Sequence, residues 1–162
     1  MLDAFLMGFP ILYIKRKKLG LKKEFSLNFF GIKELTFKTI ELLFFLIIFS
    51  MIIALLLTIV SLNDTAKVEQ KISSTGPLLL GYLFIVRVTA EEWFFRGFLV
   101  KQIGILGSSI AFAAVHAFYF SIAEVIGAFF LGLLLAYYFK KNNSLYPNII
   151  AHISYNVITL IT

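Results

Sequence analysis

The sequence predicts an all-α protein, a polytopic transmembrane helical bundle of about six helices that forms one integral membrane domain over residues 1–162. Hydrophobic residues make up 60% of the chain, and the mean hydropathy is +0.92, which is well above the composition of soluble domains. Long apolar runs recur between short polar breaks, and basic clusters fall in those breaks. Because a backbone in lipid must satisfy its own hydrogen bonds, helices are expected and strands are not.

The first half of the chain predicts two helices, an amphipathic stretch and a loop. Residues 1–14 are apolar but short, at about 20 Å as a helix against a hydrocarbon core of about 30 Å. Charged residues follow this run and do not precede it, unlike in a signal peptide, so we expect a first helix. Residues 24–38 mix apolar and charged side chains and predict an interfacial amphipathic stretch. Residues 39–62 predict a spanning helix, and residues 63–75 an exposed loop.

The second half predicts four further helices, over residues 76–102, 104–119, 122–139 and 145–161. Polar residues 140–144 separate the last two helices. No internal repeat or second domain is evident from the sequence. Residues 86–160 contain the candidate catalytic residues, and we expect this segment to form the catalytic core of the single domain.

Basic clusters predict the orientation of this multi-pass protein. Six lysine and arginine residues lie between Lys15 and Lys23, and further basic residues lie at Lys101 and at residues 140–141. Such a block beside a membrane helix is typical of a cytoplasmic loop that contacts anionic lipid headgroups. We therefore expect membrane lipids as partners and no nucleic acid. Residues 63–75 then lie outside.

Three of the ionisable groups inside predicted membrane helices lie at a similar depth. Glu91 belongs to the cluster Glu91-Glu92-Trp93-Phe94-Phe95-Arg96, and the chain's two histidines are His116 and His152. At about 1.5 Å per residue, they lie roughly 15, 18 and 10 Å from the cytoplasmic helix ends. Ionisable groups at membrane depth usually face a bundle interior and mark a working site. The sequence therefore predicts an active site in the cytoplasmic half of the bilayer.

The spacing of these residues places them in pairs on helix faces. Glu92 and Arg96 are four residues apart, and so are Arg87 and Glu91, which predicts two ion pairs within one helix. A buried salt-bridge network that only orients helices is the structural alternative. Four-residue spacing also relates the pairs Phe112 and His116, and His152 and Asn156. A lone membrane histidine can likewise be an interhelical hydrogen-bond partner.

These residue types can hydrolyse a peptide bond. A glutamate with a histidine can activate water, and a histidine with an asparagine can donate hydrogen bonds to the developing oxyanion. The chain lacks cysteine, which excludes a cysteine nucleophile and disulfides, and we expect no cofactor. As a second-ranked mechanism, Glu91, His116 and His152 could supply three zinc ligands and leave a fourth position open.

Three motifs occur in order on separate predicted helices: Glu91-Glu92-x-x-x-Arg96, Phe112-x-x-x-His116 and His152-x-x-x-Asn156. In these motifs the chain resembles the CAAX protease and bacteriocin-processing (CPBP/Abi) family, which includes the type II CAAX prenyl endopeptidases. The segment Ser144-Leu145-Tyr146-Pro147 is also similar to the family's approach to its last motif. The resemblance spans residues 91–156.

The resemblance implies a role for each matching residue. Glu91 would activate water together with His116, while His152 and Asn156 would stabilise the oxyanion. Two further residues, Glu92 and Arg96, would support Glu91, and Phe112 would shape the pocket.

The expected function is therefore that of an intramembrane endopeptidase of the CAAX prenyl protease type. Its expected substrate is a lipid-associated or prenylated peptide or protein, as the resemblance implies. The alternative from another functional class is a non-catalytic bacteriocin self-immunity or membrane scaffold protein on the same fold. Those prenyl endopeptidases have about eight helices, whereas this sequence offers five or six spans of sufficient length.

Overall fold

A computed structural model describes residues 2–161, and within that range the chain is a helical bundle without strands. The all-α prediction is therefore confirmed. Four helices make up the first half of the chain: α1 (Leu2–Arg16), α2 (Leu21–Glu24), α3 (Ile32–Ile59) and α4 (Ala66–Ser73).

A single helical run, Pro77–Tyr119, follows these helices, and it is broken at Gly104. Gly104 has φ 77°, a conformation that glycine adopts without the steric cost of a Cβ atom. We call residues 77–103 α5 and residues 105–116 α6, and a 3₁₀ turn, Ala117–Tyr119, ends the run. The predicted boundary between these two helices is confirmed.

The last two helices are α7 (Ile122–Asn142) and α8 (Tyr146–Ile161). Two expectations for the first half were wrong. Residues 32–38 are not a separate interfacial stretch but the first two turns of α3, because neither proline nor glycine interrupts the chain between residues 32 and 59. The predicted loop over residues 63–75 contains α4, whose alanine, lysine, glutamate and glutamine are good helix formers.

Three helical stretches are long and apolar enough to cross a membrane: Ile32–Ile59, Pro77–Tyr119 and Ile122–Asn142. Helix α3 also leaves many large apolar side chains exposed, such as Phe44, Met51 and Leu55. An apolar surface of this extent is typical of lipid contact. Together with the hydropathy, these features identify an integral membrane protein.

Tertiary contacts gather the predicted basic clusters at one end of the bundle, which we call the basic end. The Lys101 ammonium donates to the Lys23 carbonyl oxygen (3.0 Å), and Lys141 pairs with Glu41 (3.0 Å). Ser26 donates to the side-chain oxygen of Asn143 (2.7 Å). This clustering fits the predicted cytoplasmic position of the basic segments.

The opposite end, which we call the α4 end, is held by Asp64. Its carboxylate accepts hydrogen bonds from the Ser121 hydroxyl (2.6 Å) and the Ala123 amide (3.0 Å) at the start of α7. The Lys67 ammonium and these hydrogen bonds hold the pKa of the Asp64 carboxyl below its usual range. Asp64 therefore fixes the turn between α6 and α7.

Candidate active site

The first motif lies on an irregular part of α5. Residues Glu92–Leu99 form a π-helical turn, a feature that is frequent at functional sites. A π-helical turn changes the α-helical hydrogen-bond pattern, and the Ser108 hydroxyl of α6 donates to the Phe95 carbonyl oxygen (2.6 Å). Ser108 is buried, so this bond also fixes α6 against the motif.

Glu92 is the centre of a fully buried polar cluster. Its carboxylate lies 3.0 Å from Nη1 of Arg96 and 2.8 Å from Nδ1 of His152. Glu92 is 0% exposed and Arg96 is 1% exposed, so neither charge could remain there without a partner. The predicted Glu92–Arg96 pair is present, and the third motif closes on it from α8.

Asn148 is a further member of this cluster that sequence reasoning missed. Its Nδ2 donates to the Leu135 carbonyl oxygen (2.8 Å) and lies 3.3 Å from the second carboxylate oxygen of Glu92. Asn148 precedes His152 by four residues. The spacing that singled out Asn156 on the same helix therefore also indicated Asn148. We call Glu92, Arg96, Asn148 and His152 the closed half of the site.

Phe112 connects the three motif helices. The Arg96 guanidinium carbon lies 4.0 Å from the centre of the Phe112 ring, a cation–π distance. The ring centres of His116 and His152 lie 4.4 Å and 6.1 Å from it. Residues from all three motifs therefore meet around one buried aromatic ring.

Glu91 differs from its neighbour in both burial and partners. It is partly buried, and within residues 2–161 its carboxylate forms no ion pair or hydrogen bond. The predicted Arg87–Glu91 pair is wrong, because Arg87 pairs with Asp3 of α1. Asp3 also accepts a hydrogen bond from the Tyr82 hydroxyl (2.6 Å). Arg87 therefore pairs with α1 and not, as the spacing had predicted, with Glu91.

His116 is the last residue of α6, and both ring nitrogens have neighbours. Nδ1 lies 2.8 Å from the Phe112 carbonyl oxygen, one helical turn back. Nε2 lies 3.9 Å from a carboxylate oxygen of Glu124, in the first turn of α7. The His116 ring also stacks on Tyr119 at 5.9 Å. We call Glu91, His116 and Glu124 the open half of the site, because all three are partly exposed.

Asn156 lies one turn beyond His152 on α8 and is partly buried. Its backbone carbonyl accepts a hydrogen bond from Thr159 (3.2 Å), while its side chain forms no hydrogen bond with any residue of the described chain. Its amide is therefore available to a ligand.

The zinc alternative has mixed support. Both histidines have Nδ1 against an oxygen, at Phe112 and at Glu92, so Nε2 is the nitrogen that could bind a metal, as in many metal-ligating histidines. However, no three histidine, aspartate or glutamate side chains between residues 2 and 161 lie close enough together to hold a metal ion. The described side chains therefore do not form a metal site.

Two surface grooves lie outside the motifs. One, of about 300 Å³, is at the basic end and is lined by Lys101, Lys140 and their neighbours. The other, of about 360 Å³, lies at the α4 end beside Phe120 and Ile122. None of the predicted site residues lines either groove.

Comparison with protein families gives one match. The family model described as type II CAAX prenyl endopeptidase Rce1-like matches residues 73–158. The matched segment covers just over half of the chain and includes all three motifs. No curated protein and no solved structure matches the chain.

Proposed function

Because the chain belongs to the Rce1-like family of type II CAAX prenyl endopeptidases, we propose that it is an intramembrane endopeptidase with Glu91 as its base. Family membership favours a peptidase. The observation that carries the proposed mechanism is the contrast between the two adjacent glutamates. Glu92 is committed to buried partners, whereas Glu91 borders the same cluster without an ion pair.

Glu91 activates the water in this mechanism. A carboxylate without a bound cation can accept a proton, and the ionisable groups around Glu91 are His152, Arg96, Arg87 and Glu92. His116 lies on the same side of the site, since both Glu91 and His116 are electrostatic neighbours of the same groups, Arg96 and His152. A water molecule between Glu91 and His116 would therefore be held by His116 and deprotonated by Glu91.

His152 and Asn156 stabilise the oxyanion. Nδ1 of His152 donates to the Glu92 carboxylate, which orients the ring and leaves Nε2 for the oxyanion. The unbonded Asn156 amide supplies a second donor from the same helix face, as an oxyanion site requires.

The structure suggests a changed role for Glu92. The family resemblance implied that Glu92 and Arg96 support Glu91, but their contacts lead to His152 instead. We propose that Glu92 orients His152, that Arg96 neutralises Glu92, and that Phe112 separates the rings of the two histidines. A buried carboxylate that fixes a histidine ring plays the same part in other hydrolases.

The proposed substrate is a peptide held at the membrane, with a prenylated cysteine as the closest analogy. The test is cleavage of a fluorogenic peptide that carries a farnesylated cysteine three residues before its C-terminus, with purified protein in detergent. Cleavage that persists in a metal chelator would support water activation by Glu91. Loss of cleavage in the chelator would favour the zinc mechanism.

Absence of cleavage would count against the proposal when the protein is shown to be folded. That result, repeated with unprenylated and differently lipidated peptides, would favour the alternative of a non-catalytic immunity or scaffold protein. Normal turnover by a Glu91→Gln variant would instead remove Glu91 as the base while leaving the protease function in place.

A further inference from the structure

Glu124 is a carboxylate within an apolar helix that the mechanism above does not use. It lies in the first turn of α7, and its backbone amide donates to the Ser121 hydroxyl (3.1 Å). A helix N-terminus favours a negative charge at this position. That preference explains why a carboxylate is tolerated there, but it does not explain where the side chain lies.

The Glu124 side chain lies against His116, whose Nε2 is 3.9 Å from its nearer carboxylate oxygen. No lysine or arginine of the described chain pairs with it. Tyr119 is close to the pair, because both Glu91 and Glu124 are electrostatic neighbours of its hydroxyl. Glu124 therefore belongs to the open half of the site and is not a solvated surface residue.

The hydrogen bond of the other ring nitrogen, Nδ1, limits where the hydrogens of the His116 ring can lie. The Phe112 carbonyl oxygen can only accept, so Nδ1 of His116 carries a hydrogen. In a neutral ring Nε2 would then be an acceptor that faces another acceptor, the Glu124 carboxylate. The two groups are complementary when a hydrogen lies between them, so this geometry favours a hydrogen held between Nε2 and the Glu124 carboxyl group.

Amide hydrolysis needs such a hydrogen. The leaving nitrogen must be protonated as the carbon–nitrogen bond breaks, because an amide anion is a very poor leaving group. Glu91 takes up a proton from the water, but the roles given to Glu91, His152 and Asn156 do not include its transfer to the leaving nitrogen. This inference therefore rests on the proposed function and fills a step that it leaves open.

We propose that Glu124 is a positioning residue that holds His116 with a hydrogen on Nε2, so that His116 protonates the leaving amine. The water oxygen bonds to the carbonyl carbon, and a water proton passes to Glu91. The carbon–nitrogen bond then breaks as the amine nitrogen takes the hydrogen from His116 Nε2. After the products leave, the proton on Glu91 returns to His116, which restores the starting state.

The test compares two substrates that differ in one atom. The first is the farnesylated peptide, and the second is its thioester analogue, in which sulfur replaces the scissile N–H. A thiol has a pKa near 8.5 and leaves as the thiolate without a proton. Turnover of both is measured for the wild type, Glu124→Gln and Glu124→Asp. The matched control is Glu69→Gln, an exposed carboxylate on α4.

We expect Glu124→Gln to lower kcat for the amide roughly 100-fold, in the range of general acid catalysis, with little change in KM. Thioester cleavage should be nearly unchanged, and Glu69→Gln should behave as the wild type. The shorter Glu124→Asp should fall between the wild type and Glu124→Gln, because its carboxylate remains but lies farther from Nε2.

Three results would overturn the inference. Equal slowing of both substrates would show a structural role for Glu124, and unchanged cleavage of both would show no role. Cleavage of neither substrate by the folded wild type would contradict the proposed function and this inference with it. The first two results leave the proposed function intact, so the two failures are distinguishable.

Discussion

The two halves of the site differ in how their charges are held, although they begin at adjacent residues of one helix. In the closed half, Glu92 and Arg96 are excluded from solvent and form an ion pair, and Glu92 also contacts His152 and Asn148 of α8. In the open half, Glu91, His116 and Glu124 are partly exposed, and no hydrogen bond joins one of them to another. The difference predicts separate roles: the buried ion pair of the closed half should stabilise the bundle, while the partly exposed groups of the open half are accessible to a substrate.

The largest expected effect comes from the closed half. Arg96→Ala would leave the Glu92 carboxylate buried without a cation, which should lower the free energy of unfolding by about 3 to 5 kcal/mol. The matched control is Arg87→Ala, since the Arg87 side chain is 30% exposed and pairs with Asp3 near the α4 end. Thermal unfolding in detergent measures both variants. Equal loss of stability in the two variants would contradict the comparison, because it would mean that burial of the Glu92–Arg96 pair does not matter.

Asn148 and Asn156, both on α8, should differ in their effects on stability and turnover. Asn148→Ala removes hydrogen bonds to Leu135 and Glu92 in a buried position, at a cost of about 1 to 3 kcal/mol. Asn156→Ala removes no side-chain hydrogen bond to the described chain, so stability should be unchanged while kcat falls. Unfolding and turnover are measured for both variants. An Asn156→Ala protein with full activity would remove this amide from the oxyanion site.

A smaller effect is expected at Phe112, whose ring contacts residues of both halves of the site. A Cβ at Gly132 of α7 would lie 3.2 Å from the Phe112 ring, so Gly132→Ala should cost about 1 kcal/mol through overpacking. The control is Gly127→Ala on the same helix, where a Cβ would meet nothing within 4 Å and helix propensity should give a slight gain. Chemical denaturation of both variants tests this, and a stabilised Gly132→Ala protein would show that Phe112 can move freely.

The smallest disturbance comes from single cysteines, which can be placed cleanly because the chain has none. Gln70→Cys on exposed α4 and Lys22→Cys in the basic segment report on opposite ends of the bundle. If the basic end is cytoplasmic, a membrane-impermeant thiol reagent should label Gln70→Cys in intact cells, and Lys22→Cys only after permeabilisation. The reverse pattern would invert the predicted orientation.

The same experiment locates the site relative to the membrane. His116 ends α6 and Glu124 begins α7, so the open half lies toward the α4 end. The predicted position in the cytoplasmic half of the bilayer stays a prediction. Labelling of Ala117→Cys, next to His116, from the same side as Gln70→Cys would place the mouth of the site outside.

Much of the fold follows from the sequence because lipid leaves the backbone few choices. The apolar runs predicted the long helices, and the predicted boundary between residues 102 and 104 lies at the break between α5 and α6. The errors came from residues that any local pattern describes poorly. Residues 32–38 are charged but continue α3, and α4 is a short helix in a segment with turn-forming residues at both ends.

The sequence predicted those contacts of the site that lie on the face of a single helix. Four-residue spacing identified the Glu92–Arg96 pair, and the same rule would have identified Asn148. Spacing failed for Arg87, because its partner Asp3 comes from a different helix. It also failed for Glu124, which lies against His116 only because α7 packs beside α6. Partners on other helices depend on tertiary packing, which one sequence does not reveal.

The most direct test of the division between the halves is the matched pair Glu91→Gln and Glu92→Gln, measured for both unfolding and peptide cleavage. Both changes are isosteric and remove one carboxylate from neighbouring positions. We predict that Glu91→Gln keeps wild-type stability and loses turnover by at least about 100-fold, whereas Glu92→Gln is destabilised because Arg96 is left buried without its anion. A stable Glu92→Gln protein, or an active Glu91→Gln protein, would contradict the account.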